Sequence, residues 1–286
     1  VDSGNRLAYE SLSRLYYDRG RLKDKSYLLL ANLVIYQANQ VLKKNDIKSP
    51  DLYNLKGLIY MERDNQVDAL RSFKLATDVN PKHADAHMNM AMISIRFRDY
   101  KQAEESIKIA MKDGRQKKNV EAYIGLGVAQ RGLRKYKEAE QAFKKAKELN
   151  GKDPRPLYNL GILYQEHIAT AQEEFSKKPY ETAKGYFNKF ASKAGGNKDL
   201  AEKVADAKDR VIGIDQLFKD IEEMKKLEAE AKKLEEQMKK QEAEERKRLL
   251  DIEAKAKAAA AKAASQAAEP KKEEPKKDEK KDDKKK

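Results

Sequence analysis

The chain has 286 residues, 38% of them charged, and a net charge of +14 at pH 7. With 40% apolar residues and no tryptophan, it favours an elongated architecture over one large core, because each unit then buries only one face against its neighbours. The absence of cysteine excludes disulfides, thiolate metal sites and cysteine nucleophiles. No apolar run approaches the roughly 20 residues of a membrane-spanning helix. Because the chain begins at Val1 rather than methionine, we expect that a leader or upstream portion, with any lipid anchor, has been removed.

Small and large residues recur along the chain with a period close to 34 residues. Ala91 lies 34 residues after Gly57, Gly127 lies 36 after Ala91, and Gly161 lies 34 after Gly127. Two antiparallel helices pack closely only where glycine or alanine on one faces a bulky side chain on the other. The residues at matching offsets are Tyr60, Ala69, Phe73, Ala76 and Pro81 after the first glycine, and Ala139, Phe143 and Ala146 after the third repeat's glycine. This pattern predicts stacked helical hairpins and resembles the tetratricopeptide-repeat (TPR) family.

Two flanking units depart from the pattern. Near the N-terminus, residues 9–16 followed by residues 31–38 indicate a fifth, stretched hairpin, and terminal repeats are often atypical because they cap a stack. Residues 154–191 contain about ten extra residues between His167 and Lys178. We interpret the extra residues as a longer first helix or a loop, with a family-specific binding arm as the alternative.

From Lys198 the pattern changes to that of a long charged helix. Residues 198–218 predict an amphipathic helix that covers the last repeat, and the helix then continues without a breaker. Apolar residues between Ile214 and Met238 resemble a coiled-coil seam with a broken heptad, so we favour a single solvated helix over a dimer. The predicted organisation is all-α: a TPR superhelical solenoid of about five hairpins in 1–197, the capping and charged helix in 198–268, and a disordered Lys-rich tail in 269–286.

The positive charge belongs to the repeats rather than to the tail. Residues 198–286 carry 26 basic and 24 acidic residues, whereas residues 1–197 carry 36 basic and 24 acidic. A basic solenoid predicts an acidic partner or an anionic surface. The alternatives are lysines that only maintain solubility, and nucleic-acid binding, which the tyrosines at packing offsets do not favour.

The TPR resemblance implies that the first helix of each hairpin lines a concave groove. It places apolar side chains with two methionines at the groove centre, and such surfaces accept apolar ligand side chains. The implied groove residues are Asn54, Leu58, Met61, Met88, Asn89, Met92, Ile95, Arg96, Ile124, Val128, Arg131, Arg155, Tyr158, Asn159 and Ile162. We expect a helix or an extended segment to bind there, with Asn89 and Asn159 bonding its backbone. Of the family's carboxylate-clamp positions only Asn89 fits, so a clamp is not expected.

The sequence lacks the motifs of catalysis, and we predict that the protein is not an enzyme. His83 and His87 are four residues apart, but no glutamate follows the first as the zinc-protease motif requires, so no metal site is predicted. Gly125 and Gly127 match a dinucleotide fingerprint only in two glycines, and no cofactor is expected.

These observations predict a non-catalytic scaffold or adaptor that binds a protein segment in its groove and assembles a larger complex. The combination of repeats and tail is similar to that of TPR lipoproteins of the bacterial envelope that serve pilus assembly or gliding motility. That resemblance implies a periplasmic, outer-membrane-associated location, with a cytoplasmic location as the alternative. The alternative functions are a basic nucleic-acid-associated TPR factor and a chaperone-like holdase.

Overall fold

The structure is a computed structural model that describes residues 5–171 and 174–267. These residues form eleven α-helices and no strand. Short 3₁₀ turns lie at Gln116–Lys118 and Lys198–Leu200, and a π-helical turn lies at Leu163–Ile168. The α-helices are α1 Arg6–Leu22, α2 Ser26–Lys44, α3 Pro50–Glu62, α4 Gln66–Val79, α5 Ala84–Arg96, α6 Tyr100–Ala110, α7 Val120–Gly132, α8 Tyr136–Leu149, α9 Arg155–Ile162, α10 Lys177–Ala194 and α11 Ala201–Ala267.

The chain divides into two compact units, residues 1–218 and residues 219–286. In the first unit, helices α1 to α10 form five antiparallel hairpins, and each hairpin packs on the next through the second helix of one and the first helix of the other. The first helices of neighbouring hairpins also contact one another, as α5 contacts α7. The prediction of an all-α stack of helical hairpins is therefore confirmed for the described residues.

Three glycines allow the two helices of a hairpin to approach each other. A Cβ built on Gly57 would lie 2.4 Å from the Phe73 ring, and one on Gly127 would lie 2.5 Å from the Phe143 ring. Gly161 meets Phe187 at the same 2.5 Å, although ten extra residues separate this pair. All three phenylalanines are fully buried. The predicted pairing of a small and a large residue thus sets the spacing in three of the five hairpins.

The turns inside the hairpins repeat as well. Asp64, Arg98 and Arg134 each have a φ near +60°, a left-handed conformation that reverses the chain between the two helices. The next residue is the N-cap of the second helix, and the N-caps Asn65 and Asp99 accept a backbone N–H of its first turn with their side chains. The repeat therefore extends to the conformation of the loops as well as to the packing of the helices.

Of the second unit, the structure describes residues 219–267, which are helical throughout as the continuation of α11. Its large apolar residues are exposed, among them Met224, Leu227, Leu234 and Met238. Ion pairs one turn apart, such as Glu235 with Lys239 at 2.6 Å, support the helix as the charge pattern predicts. The predicted disordered tail, 269–286, lies outside the described residues.

Candidate functional site

The first helices α3, α5 and α7 border a cavity of about 290 Å³. It contains five of the residues that the sequence assigned to the groove, namely Asn54, Leu58, Met88, Asn89 and Met92. The other half of its lining is polar, and we call it the polar rim: Arg14, Asp85, Gln116, Asn119 and Glu121. The cavity thus combines three apolar side chains, Leu58, Met88 and Met92, with seven polar ones that include both signs of charge.

The apolar side chains of the predicted groove differ in how much surface they offer. Met88 and Ile124 are buried and contribute to the packed interior. Leu58, Met61 and Ile95 are partly buried and pack against core clusters, as do Val128 and Ile162. Met92 is partly exposed and lines the cavity. The apolar surface open to a partner is therefore smaller than the sequence offsets alone imply.

The two asparagines that line the cavity, Asn54 and Asn89, form a hydrogen bond with each other. The Nδ2 of Asn89 donates to Oδ1 of Asn54 at 2.9 Å, and Asn54 is 2% exposed. Farther along, Nδ2 of Asn159 donates to the carbonyl of Arg155 within its own helix. The amide donors that were expected to hold a partner's backbone thus have acceptors already, although each amide N–H₂ group carries a second hydrogen.

The polar rim depends on a turn that interrupts the repeat. Two extra residues between α6 and α7 form the turn at Gln116–Lys118. Gln116 donates from Nε2 to Oδ1 of Asp85 at 3.0 Å, and Asn119 donates from Nδ2 to Oε1 of Gln116 at 2.7 Å. In the sequence, the only indication of this turn was the spacing of 36 instead of 34 residues between Ala91 and Gly127.

Arg155 links two neighbouring first helices. Its Nη1 lies 2.7 Å from Oε2 of Glu121 on α7, and its Nη2 lies 2.8 Å from Oδ2 of Asp153. The hydrogen bonds that Arg155 donates to Asp153, together with the charge of Glu121, raise the pKa of Arg155 further above its ordinary value. Arg155 was predicted to contact a partner protein, but its guanidinium is already paired with two carboxylates of its own chain.

Arg131 lies in a second cavity, of about 390 Å³, bordered also by Tyr100, Arg134, Tyr136 and His167. Its Nη1 is buried and has no hydrogen-bond partner within the described residues. Burial lowers the pKa of Arg131, and the nearby charge of Glu166 opposes that effect. Arg131 is therefore a predicted groove residue with hydrogen-bonding capacity left unused. Arg96, the other predicted arginine of this region, is exposed at the end of α5.

The first turns of α11 pack on the last hairpin. The hydroxyl of Tyr158 donates to Oδ2 of Asp206 at 2.8 Å, and burial together with this bond raises the pKa of Tyr158 to about 12. Arg210 donates to Oε1 of Gln165 at 2.9 Å and to Oε1 of Glu166 at 2.7 Å. The predicted groove residue Tyr158 is thus engaged by the helix that follows the repeats.

The two histidines of α5 and its N-terminus have structural partners. Nδ1 of His83 accepts the backbone N–H of Ala86 and caps the helix, and its Nε2 lies 3.4 Å from Asp51. His87 donates from Nε2 to the carbonyl of Pro81 at 3.0 Å, and burial lowers its pKa. Across the parts of the chain that the structure describes, no three His, Cys, Asp or Glu side chains cluster as metal ligands.

Comparison with known proteins supports the fold and nothing finer. No family model matches the chain, and no curated protein matches it. Among solved structures, PilW, a type IV pilus biogenesis factor, is 16% identical, with 76% of this chain and 94% of PilW covered and a TM-score of 0.56. Pseudomonas aeruginosa PilF is 19% identical, over 76% of this chain and 91% of PilF, with a TM-score of 0.52. YrrB, a TPR protein with an unusual peptide-binding site, is 16% identical over 68% of this chain and 90% of its own, with a TM-score of 0.53.

The chain has the TPR fold. The resemblance read from Gly57, Ala91, Gly127 and Gly161 is therefore confirmed at the level of the fold. Among the helices that the structure describes, none combines the length and apolar character needed to cross a membrane.

The fifth TPR hairpin, α9–α10, departs from the regular repeat at its insertion. The first helix, α9, continues into the π-helical turn at Leu163–Ile168, so part of the extra sequence lengthens the first helix. The Tyr164 hydroxyl donates to Oε1 of Glu140 at 2.7 Å, and the His167 ring stacks on Tyr136 with 5.0 Å between centroids. A cavity of about 690 Å³ lies between this turn and the start of α8. Residues 172–173 of the insertion lie outside the described residues.

A buried ion pair beside this region makes a pH-dependent contribution to TPR packing. Glu104 is 5% exposed, and its carboxylate lies 2.6 Å from Nζ of Lys135 and 2.8 Å from Nζ of Lys108. Burial opposes ionisation, but the hydrogen bonds and charges of the two lysines outweigh it and lower the pKa of Glu104 below its ordinary value of 4.5. The carboxylate therefore stabilises the folded state above pH 4.5, and this stabilisation disappears as the pH falls through the lowered pKa.

We expect Glu104→Gln to flatten the dependence of the urea midpoint on pH below pH 4.5. Glu105→Gln on the same helix is the matched control, because Glu105 is exposed and should leave that dependence almost unchanged. Equal slopes for wild type and Glu104→Gln would mean that this carboxylate contributes nothing to acid sensitivity.

Proposed function

We propose that the protein is a non-catalytic scaffold that binds a segment of a partner protein along the first helices of its hairpins and so assembles a larger complex. The observation that carries this proposal is the cavity between α3, α5 and α7, where the apolar side chains Leu58 and Met92 lie beside a rim of hydrogen-bonding groups. Apolar contacts supply affinity and the few polar groups fix the orientation of a bound segment.

The rim also restricts the kind of segment. Asp85 and Glu121 are acidic, Arg14 is basic, and Gln116 and Asn119 offer amide groups. A segment with an apolar anchor and mixed polar groups fits this lining better than a uniformly acidic one. The acidic partner predicted from the basic repeats would therefore bind elsewhere on the surface, and a loss of binding with added salt would identify that contribution.

We further propose that the complex belongs to the bacterial envelope, on its periplasmic side. Support comes from the sequence resemblance to envelope TPR lipoproteins and from the fold shared with the pilus biogenesis factor PilW. Fractionation of the source cell tests this: the protein should be recovered with outer-membrane or periplasmic material, and recovery with the cytoplasm alone would contradict it.

The groove is tested with Met92→Glu in the full chain. Met92 lines the cavity without belonging to a core cluster, whereas Ile95 packs on the core, so a change at Ile95 would confound binding with stability. A glutamate at position 92 buries a charge against the bound segment and should reduce partner recovery by about 10-fold or more. Helical circular dichroism should stay unchanged.

Leu75→Glu is the matched control, since Leu75 is 44% exposed on α4 and lines none of the cavities described above. Wild type and both variants are immobilised, exposed to extract of the source cell, and their bound proteins quantified by mass spectrometry. A partner that binds wild type and Leu75→Glu but not Met92→Glu supports the proposal. An identical set of bound proteins on all three would contradict it.

A further inference from the structure

Helix α2 contains the longest stretch of the sequence without a charged residue. From Ser26 to Leu42, seventeen consecutive residues carry no charge, in a chain that is 38% charged. One side of this helix is buried against the stack, with Ile35 and Ala38 at its centre. Surface helices of globular proteins usually carry charged residues on the side opposite the core, and a helix that lacks them on every side is typical of one that is buried all round.

The opposite side of α2 is apolar and exposed. Leu29, Leu33 and Tyr36 follow one another at helical spacing and are 62%, 51% and 63% exposed. On α1, Leu15 and Leu22 lie two turns apart on the side opposite the buried Ser13 and Tyr17, and they are 51% and 71% exposed. We call these five apolar side chains the N-terminal face.

The geometry of the stack gives this face its position. The α1–α2 hairpin packs against α3. Both helices bury one side in that packing, and the N-terminal face lies on the opposite side of each. The equivalent side of α4 and α6 is also exposed but charged, with Arg71 and Lys74 on α4 and Glu105 and Lys108 on α6, so α2 differs from these helices in lacking charge there.

The exposed area of the N-terminal face is large for a monomer but smaller than a standard interface. From their exposed fractions, its five side chains present on the order of 500 Å² of surface, within the range of the largest apolar patch of a typical monomer, which is often functional. Leu12 and Leu30, also exposed on α1 and α2, extend it toward the roughly 800 Å² that each partner buries in a standard interface.

The net charge of the protein favours a second copy of the chain as the partner that covers the N-terminal face. The protein has a net charge of +14, so two copies repel each other over most of their surface and can approach closely only through an uncharged region. In a two-fold contact the same surface meets itself, and α2 then meets α2 with no like charges opposed. A partner with a charged surface would instead lose the hydration of its charges against leucine side chains.

We propose that the protein forms a two-fold symmetric dimer through the N-terminal face. This inference is independent of the groove, because the face and the cavity between α3, α5 and α7 share no residue. Dimerisation would give the assembly two grooves, and a partner that presents two segments would be held by both.

The dimer is tested by sedimentation equilibrium of the full 286-residue chain at micromolar concentrations. Wild type should sediment with twice the mass of the chain. Leu29→Glu combined with Leu33→Glu places four carboxylates in the two-fold contact and should raise the dissociation constant about 100-fold or more, leaving a monomer. Both leucines are exposed in the protomer, so helical circular dichroism should be retained. If the glutamate variant does not fold, Leu29→Asn with Leu33→Asn replaces it.

Val67→Glu combined with Leu75→Glu is the matched control, because both residues are exposed on α4 and lie outside the N-terminal face. It should remain dimeric. A monomeric wild type at tens of micromolar would overturn the proposal. A dimer that survives the α2 substitutions would also overturn it, and would direct attention to the apolar residues of α11 between Met224 and Met238.

Discussion

Replacing Phe143 by alanine is expected to lower the free energy of unfolding of the TPR unit by about 3–5 kcal/mol, the usual cost of emptying a large aromatic site in a core. The Phe143 side chain is fully buried. It packs with Ala139 of its own helix and with Leu160 and Leu163 of the next hairpin. The ring therefore joins two hairpins, and its loss weakens the stack as well as one repeat.

The measurement is urea unfolding followed by helical circular dichroism, with the free-energy change taken from the shift in midpoint. Phe97→Ala is the matched control, because Phe97 is 59% exposed and the same change there should alter stability by less than about 0.5 kcal/mol. Equal midpoints for the two variants would show that the Phe143 ring does not hold the hairpins together.

Gly127→Ala and Gly185→Ala are expected to change stability in opposite directions, although both replace a helical glycine by alanine. At Gly127 the new Cβ would lie 2.5 Å from Cε1 of Phe143, a fully buried ring that has no space to move into. Such overpacking costs about 1–3 kcal/mol. At Gly185 no atom lies within 4 Å of the new Cβ, so the higher helix propensity of alanine should stabilise the protein by up to about 1 kcal/mol.

The double variant Gly127→Ala with Phe143→Ala tests whether contact with the Phe143 ring causes the destabilisation at position 127. In a Phe143→Ala background the space beside Gly127 is empty, and Gly127→Ala should then be neutral or stabilising. The two changes should therefore be strongly non-additive, as expected for residues in contact. Additive costs in the double variant would mean that the Gly127–Phe143 contact is not what excludes a side chain at position 127.

The repeats could be predicted from the sequence because their packing is local. A glycine and a phenylalanine sixteen residues apart specify one hairpin, and the contacts Gly57–Phe73 and Gly127–Phe143 follow from that spacing. The insertion in the fifth hairpin did not hide its pair, since Phe187 reaches Gly161 in the same way. What the insertion itself becomes, a π-helical turn, follows from no spacing rule.

The candidate site was less predictable, because a repeat offset indicates the side of a helix but not what the next helix covers. Asn54 and Asn89 bond to each other, and Glu121 pairs with Arg155, across the contact of adjacent first helices. Tyr158 bonds to Asp206 of a helix that belongs to no repeat. Such contacts depend on the distance between helices, which single-repeat patterns do not contain.

The polar rim could not be predicted from repeat offsets either. Gln116 reaches the cavity only because two extra residues place a short turn beside α5. The proposed groove therefore differs in character from the one expected. It is a small cavity with three apolar side chains among seven polar ones, and the binding of a partner there remains a prediction.

The most direct test of the proposed groove is photo-crosslinking in the source cell, with p-benzoylphenylalanine introduced at position 92 or, as the control, at position 75. Both positions lie on helices, but Met92 lines the cavity and Leu75 is exposed on α4. A crosslink to the same partner protein from position 92, and none to it from position 75, is the predicted result. A partner that crosslinks from position 75 and not from position 92 would contradict binding in the groove.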